Sequence, residues 1–201
     1  MVYWRATAKM YMLSPVGFML CANFWWSGIG YAEKADPADT CEFGVVEEAK
    51  KFGWAPLPGA VLRLATPGKI GRSALKVESG PKPQLYMGAG LTHNIDLAGA
   101  GSEDRIILYV KQNFGESICI NIRTKNGNVY RYARLKPEQW TRVELDLDIS
   151  SWTQSKKPNA KDWSNADYLH IYSRGFDKAG ETLLLDGFAV FVKGKPVITR
   201  K

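Results

Sequence analysis

Along most of this chain, apolar and polar residues alternate one by one. The run 105–111 (RIILYVK) puts Ile106, Leu108 and Val110 on one side. Residues 117–123 (SICINIR) do the same with Ile118, Ile120 and Ile122. Residues 140–147 (WTRVELDL) do it with Val143, Leu145 and Leu147, and 167–174 (DYLHIYSR) with Leu169 and Ile171. A period of two belongs to a β-strand with one buried face. Further extended segments are expected at 41–46, 60–64, 74–78, 84–91, 93–97, 129–135 and 182–192, the last interrupted by Gly187. Asn126-Gly127 marks a hairpin turn. Only 47–52 (EEAKKF) has a helical look, and it is too short to stand alone. Roughly eight to ten strands with almost no helix predict an all-β fold. The expected form is a two-sheet antiparallel β-sandwich of the jelly-roll type, with a closed barrel as the alternative. A parallel α/β sheet is excluded because it needs crossover helices.

The alternation begins only after a different kind of segment. Arg5 and Lys9 precede a largely apolar, uncharged run over 10–30, and Gly30-Tyr31-Ala32 offers small residues at a cleavage position. This is the layout of a secretory signal peptide over 1–32. An uncleaved anchor is the competing reading, which Pro15, Asn23 and Trp25-Trp26 make a poor one. A polar linker is expected at 33–40, one domain at 41–193 and a tail at 194–201. The chain is expected to be secreted or periplasmic, with no stable membrane insertion after cleavage. Cys41 and Cys119 then remain, and one disulfide or two buried thiols both fit.

The totals narrow the function. The chain has 201 residues, enough for one domain with a full core. Its formal net charge is +7, and from Glu33 onward 25 Lys and Arg stand against 20 Asp and Glu. The excess is spread out. The nearest cluster, Lys156, Lys157 and Lys161, lies in one loop, without the dense stripe or motif of a nucleic-acid binder. Mild basicity suits an anionic polysaccharide better.

The faces opposite the apolar ones carry the chemistry. They present Tyr109 and Lys111; Cys119, Asn121 and Arg123; Tyr130 and Tyr132; and Tyr168, His170 and Tyr172. Sugar rings stack their C–H faces on aromatic rings, and their hydroxyls need fixed donors and acceptors such as Asn, His and Arg. Tyrosines that merely cover a sheet as cross-strand pairs are the plainer reading.

The segments GRSALKVE (71–78), RIILYVK, the Trp140 strand, NADYLHIYSR (165–174) and LLLDGFAVF (183–191) follow one another in a familiar order. The layout resembles jelly-roll, galactose-binding-like carbohydrate-binding modules, most of all family 11 and more distantly families 4 and 22. The resemblance covers roughly 41–192. It implies polysaccharide or oligosaccharide bound in a groove on one sheet. Asp167 and His170 match the family's sugar-contacting aspartate and histidine. Tyr172 falls one residue away from the family's tyrosine, and Tyr130 matches an aromatic position. The resemblance also implies a structural calcium near the first and last strands, with Glu42 and Asp186 as ligands.

Two other functions share this fold. Glu144, Asp146 and Asp148 resemble the acidic triad of laminarinase-like glycoside hydrolases, and alternation puts them on one face. The final Asp in place of Glu, and the short chain, weigh against an enzyme. A protein-interaction or assembly domain would look the same at this level. His93 and His170 have no metal-ligand spacing, and Gly88-Ala89-Gly90 lacks the rest of a dinucleotide loop.

Overall fold

The structure, a computed structural model, describes residues 40–82, 84–155, 162–163, 165–174, 178 and 180–198. The expected signal segment over 1–32, linker residues 33–39, Lys156, Lys157, Lys161 and residues 199–201 lie outside the described residues. The strands are β1 (Trp54–Pro56), β2 (Ala60–Ala65), β3 (Ala74–Ser79), β4 (Tyr86–Ile95), β5 (Arg105–Gln112), β6 (Ser117–Thr124), β7 (Gly127–Arg134), β8 (Thr141–Asp146), β9 (Thr153–Gln154), β10 (Ala166–Arg174), β11 (Thr182–Val192) and β12 (Lys195–Pro196). One sheet runs β1-β4-β10-β6-β7-β9 and the other β2-β3-β11-β5-β8, with β12 paired to β11. All pairings are antiparallel. From β3 to β6 successive strands change sheets, as a jelly-roll requires. The expected β-sandwich is thus the fold.

The apolar faces meet between the sheets. Ile118, Ile120, Ile122, Leu169 and Ile171 from one sheet, and Ile106, Leu108, Val110, Leu183 and Leu185 from the other, are fully buried. Trp54 closes the core edge-on to Phe188, ring centroids 5.6 Å apart, and donates its indole N–H to Thr40 O. Trp152 and Trp163 seal another part of it. Burying each large side chain stabilises by about 1.5–3 kcal/mol.

Two expectations need correction. Residues 41–46 are not a strand. Ser73 Oγ accepts from Phe43 N and donates to Phe43 O, so a side chain satisfies backbone groups that a ladder would have used. Helix α1 (Val46–Phe52) starts there and buries Ala49. Thr40 is buried, and its backbone N–H and its hydroxyl both donate to Phe188 O. After β11 the chain pairs back on it through β12, Val197 N donates to Val190 O, and Ile198 is buried. The segments 84–91 and 93–97 are one continuous strand, β4. Cys41 and Cys119 are both buried and are not joined to each other, so the alternative of two separate buried cysteines holds. No helix among the described residues is long and apolar enough to cross a membrane.

Candidate functional site

The sheet built around β10 keeps one face outside the core, and its register sets a grid. Tyr172 lies between Gly88 and Cys119, with Tyr132 beyond. His170 lies between Gly90 and Asn121, with Tyr130 beyond. Tyr168 lies between Thr92 and Arg123, with Asn128 beyond. Seven of the eight sequence-predicted ligand residues therefore share one surface: Asn121, Arg123, Tyr130, Tyr132, Asp167, His170 and Tyr172.

Tyr109 does not join them. It sits on β5 in the opposite sheet, between Asp186 and Arg142, and packs its ring over Gly187. Alternation told which way Tyr109 points relative to its own strand, but not which sheet β5 enters.

A register shift between Ala166 and Tyr168 turns Asp167 toward Arg123. The guanidinium binds it with two bonds, Nε to Oδ1 at 2.9 Å and Nη2 to Oδ2 at 3.0 Å. This pairing lowers the Asp167 carboxyl below the ordinary carboxylate range. Arg123 also lies 5.4 Å from the centre of the Tyr168 ring. Tyr168 in turn stands edge-on to His170 with centroids 4.1 Å apart. Trp163 packs on Trp152, and its indole N–H donates to Leu147 O.

His170 is neutral. Burial, with the Arg123 charge adding, lowers its pKa to about 4. Its Nε2 is buried without a hydrogen-bond partner among the described residues, and so is Asn121 Oδ1 directly across the β10–β6 pair. Cys119 lies beneath Tyr172 and Tyr132 and interacts with both hydroxyls, while burial pushes its thiol up. Burial likewise raises the Tyr172 phenol.

A groove of about 500 Å³ crosses this face, lined by Leu57, Pro58, Leu85, Tyr86, His170 and Tyr172 among others. A smaller hollow of about 160 Å³ continues it past Asn121 and His170 to Arg123, Asn128 and Tyr168. The alternation reading missed the β4 side of the groove. Tyr86 stands edge-on to Tyr172 at 5.2 Å and accepts a bond from Arg174. Gly88 and Gly90 leave the room that Tyr172 and Tyr168 occupy; a Cβ on Gly90 would overlap the Tyr168 hydroxyl. The signal was present, since Met87, Ala89 and Leu91 alternate with Tyr86, Gly88 and Gly90. Two side-chainless positions made it faint.

The three acidic residues considered for hydrolysis line a separate hollow of about 510 Å³ with Arg105 and Ser151. Each is already committed. Glu144 pairs with Arg105 and Arg142. Asp146 binds Arg131 at 2.8 Å and Ser151 at 3.0 Å. Asp148 accepts from Ser150 N and starts the short 3-10 turn Ile149–Ser151. Asp146 and Asp148 are both held below the ordinary carboxylate range, Asp146 despite partial burial. A general acid for glycoside hydrolysis needs the opposite shift.

Glu42 and Asp186 are buried under the loop before β3. Asp186 Oδ2 accepts from Lys69 N and Ile70 N, and Oδ1 from Gly187 N. Glu42 Oε2 accepts from Arg72 N and Ser73 N. Burial raises the Asp186 carboxyl, and the Glu42 charge adds to the rise. Gly68 leaves a cradle here: a Cβ would come 2.6 Å from Ser73 O and 2.7 Å from Asp186 Oδ2. Two buried carboxylates and a carbonyl suit a hard divalent cation such as calcium. Among the described residues no group of three or more His, Cys, Asp or Glu is placed to hold a metal.

The site is thus an aromatic and polar groove on one sheet of a two-sheet jelly-roll. Comparison with solved structures agrees in fold. The chain is similar to an arabinose-bound MgGH51 α-L-arabinofuranosidase, at 15% identity and a TM-score of 0.53 over 85% of this chain and 28% of that one. It is similar to a family 30 carbohydrate-binding module, at 18% identity and 0.50 over 69% and 80%. A family 11 module from a cellulosomal cellulase of Clostridium thermocellum aligns at 17% identity and 0.49 over 70% and 86%. The chain spans about a quarter of the length of the arabinofuranosidase and of an exo-β-agarase that it also matches. No family model matches the sequence, and no curated protein does.

Proposed function

We propose that this domain is a noncatalytic carbohydrate-binding domain, and that polysaccharide lies in the groove across β4, β10 and β6. The observation that carries this reading is the pair of partnerless polar atoms, His170 Nε2 and Asn121 Oδ1, at the floor of a groove walled by Tyr86 and Tyr172. A buried polar atom without a partner costs about 1–3 kcal/mol. A ligand hydroxyl that reaches these atoms offsets that cost, and the contacting rings of Tyr86 and Tyr172 give a sugar ring a stacking surface on one wall. Tyr130, Tyr132, Tyr168 and Asn128 extend the surface, and Arg123 held by Asp167 bounds it. Glycan-array and calorimetric binding test the reading. A triple variant, Tyr130→Ala, His170→Ala, Tyr172→Ala, is expected to lose the signal while remaining folded; unchanged binding in that variant counts against the groove.

Export belongs to the same proposal. The charged start, apolar middle and small-residue exit of 1–32 support it, and N-terminal sequencing of protein recovered outside the cytoplasm tests it. A structural calcium held by Glu42 and Asp186, with loop carbonyls, is supported by the cradle at Gly68 and by two buried like charges.

A further inference from the structure

The two ends of the groove differ in charge, and the difference bears on the class of polysaccharide. At one end Arg123 is spent on Asp167 through two bonds. At the other stands Arg174, exposed, donating from Nη2 to Tyr86 Oη at 3.0 Å and lying 5.2 Å from the centre of that ring. Among the described residues no carboxylate pairs with Arg174. The phenols of Tyr86, Tyr132 and Tyr172 are near enough to act on its charge. Arg134 brings a second exposed cation to the same end: it pairs with Ser117, whose carbonyl accepts from Ser173 Oγ beside Arg174.

This end presents donors. A guanidinium has five N–H groups in a fixed fork, and one is used on Tyr86. Phenol O–H groups add to the set. The middle of the groove offers a carbonyl oxygen and an imidazole nitrogen instead. A neutral, uniform glucan gives a cationic end nothing to neutralise. Carboxylate and sulfate groups do, and arginine binds either through paired N–H donors.

We propose that the groove selects an anionic polysaccharide, one bearing carboxylate or sulfate groups. A hydroxylated ring lies over His170 and Asn121, and the anionic group sits at Arg174 among the three tyrosines. This rests on the carbohydrate-binding reading above.

Affinity electrophoresis tests it, with the whole protein run through gels containing polygalacturonate, carrageenan or neutral mixed-linkage β-glucan. Each gel is run at about 20 mM and about 500 mM salt, which shortens the Debye length severalfold. The expected result is retention by an anionic polymer at least tenfold stronger than by the neutral one. Arg174→Gln is expected to lose at least tenfold on the anionic polymer. Lys111→Gln, which removes the same charge from the opposite sheet, is expected to leave it unchanged. Retention by polygalacturonate alone assigns the group as a carboxylate, and by carrageenan alone as a sulfate. Equal losses in Arg174→Gln and Lys111→Gln overturn the proposal, because diffuse charge then explains the retention. Retention by the neutral glucan alone, unaffected by Arg174→Gln, also overturns it but leaves the carbohydrate-binding reading intact. No retention by any glycan overturns both.

Discussion

His170 and Asn121 face each other across β10 and β6, and the two polar atoms they hold at the groove floor, Nε2 and Oδ1, have no partner among the described residues. On the same strand the buried Ser173 hydroxyl bonds Ser117 O, and among the described residues only Gln112, in the other sheet, shares the partnerless state. The sheet thus carries a local cost that folding alone does not require. Asn121→Leu removes one partnerless acceptor and is expected to raise stability slightly, by about 1 kcal/mol or less, while weakening glycan binding about tenfold or more. Thermal unfolding and titration of one preparation read both. A variant that loses stability and keeps its affinity would show that Asn121 is a packing residue.

The same histidine predicts a pH dependence. Its pKa is lowered from 6.5 to about 4 by burial and by Arg123. The unfolded chain therefore takes up a proton as pH falls through 6.5, while the folded domain resists until about 4. Stability is expected to decline across that window and the contribution to level off below it, by about 3 kcal/mol at most. His170→Phe is expected to flatten this part of the profile. Urea unfolding at pH 7, 5.5 and 4 measures it, and parallel profiles for the two proteins would falsify the assignment.

How much of this was legible in the sequence follows from what alternation encodes. It gives the buried side of each strand, and Leu169, Ile171, Ile120 and Ile122 are buried as expected. It does not give sheet membership, which is why Tyr109 falls on the wrong side of the molecule. It also cannot see a site residue that has no side chain. Gly88 and Gly90 shape the groove by leaving space, and only the register with Tyr172 and His170 shows it. The stretch 41–46 misled because β-like residues there bond to Ser73 rather than to a neighbouring strand.

Calcium is expected to act on stability more than on the groove. A ligand present at a hundred times its dissociation constant stabilises by about 2.7 kcal/mol. For a domain of this size that is a rise of roughly 5–10 °C in Tm. Calcium after exhaustive chelation should restore the higher Tm in the wild type and fail to do so in Glu42→Gln, which keeps a similar shape and loses one charge. A Tm indifferent to chelator would leave the cradle at Gly68 to the protein's own N–H donors.

The acidic residues of β8 and the turn after it provide the sharpest contrast between a binding domain and a hydrolase. Asp146 is pushed up by partial burial but held down more strongly by Arg131, Ser151 and the Asp148 N–H. A carboxylate depressed in this way contributes stability above its ordinary pKa of 3.8 and loses it as pH falls through the lowered value. Asp146→Ala is therefore expected to cost about 1–2 kcal/mol at pH 7, discounted for its partial exposure, and progressively less as pH falls through the lowered value. It should leave glycan binding unchanged, because β8 lies in the other sheet from the groove. Glu144→Gln should likewise leave binding unchanged. Neither the wild type nor either variant should release reducing sugar from the glycans it binds. Release by the wild type that Glu144→Gln abolishes would make the hollow beside Arg105 an active site and reverse the division of labour between the two sheets.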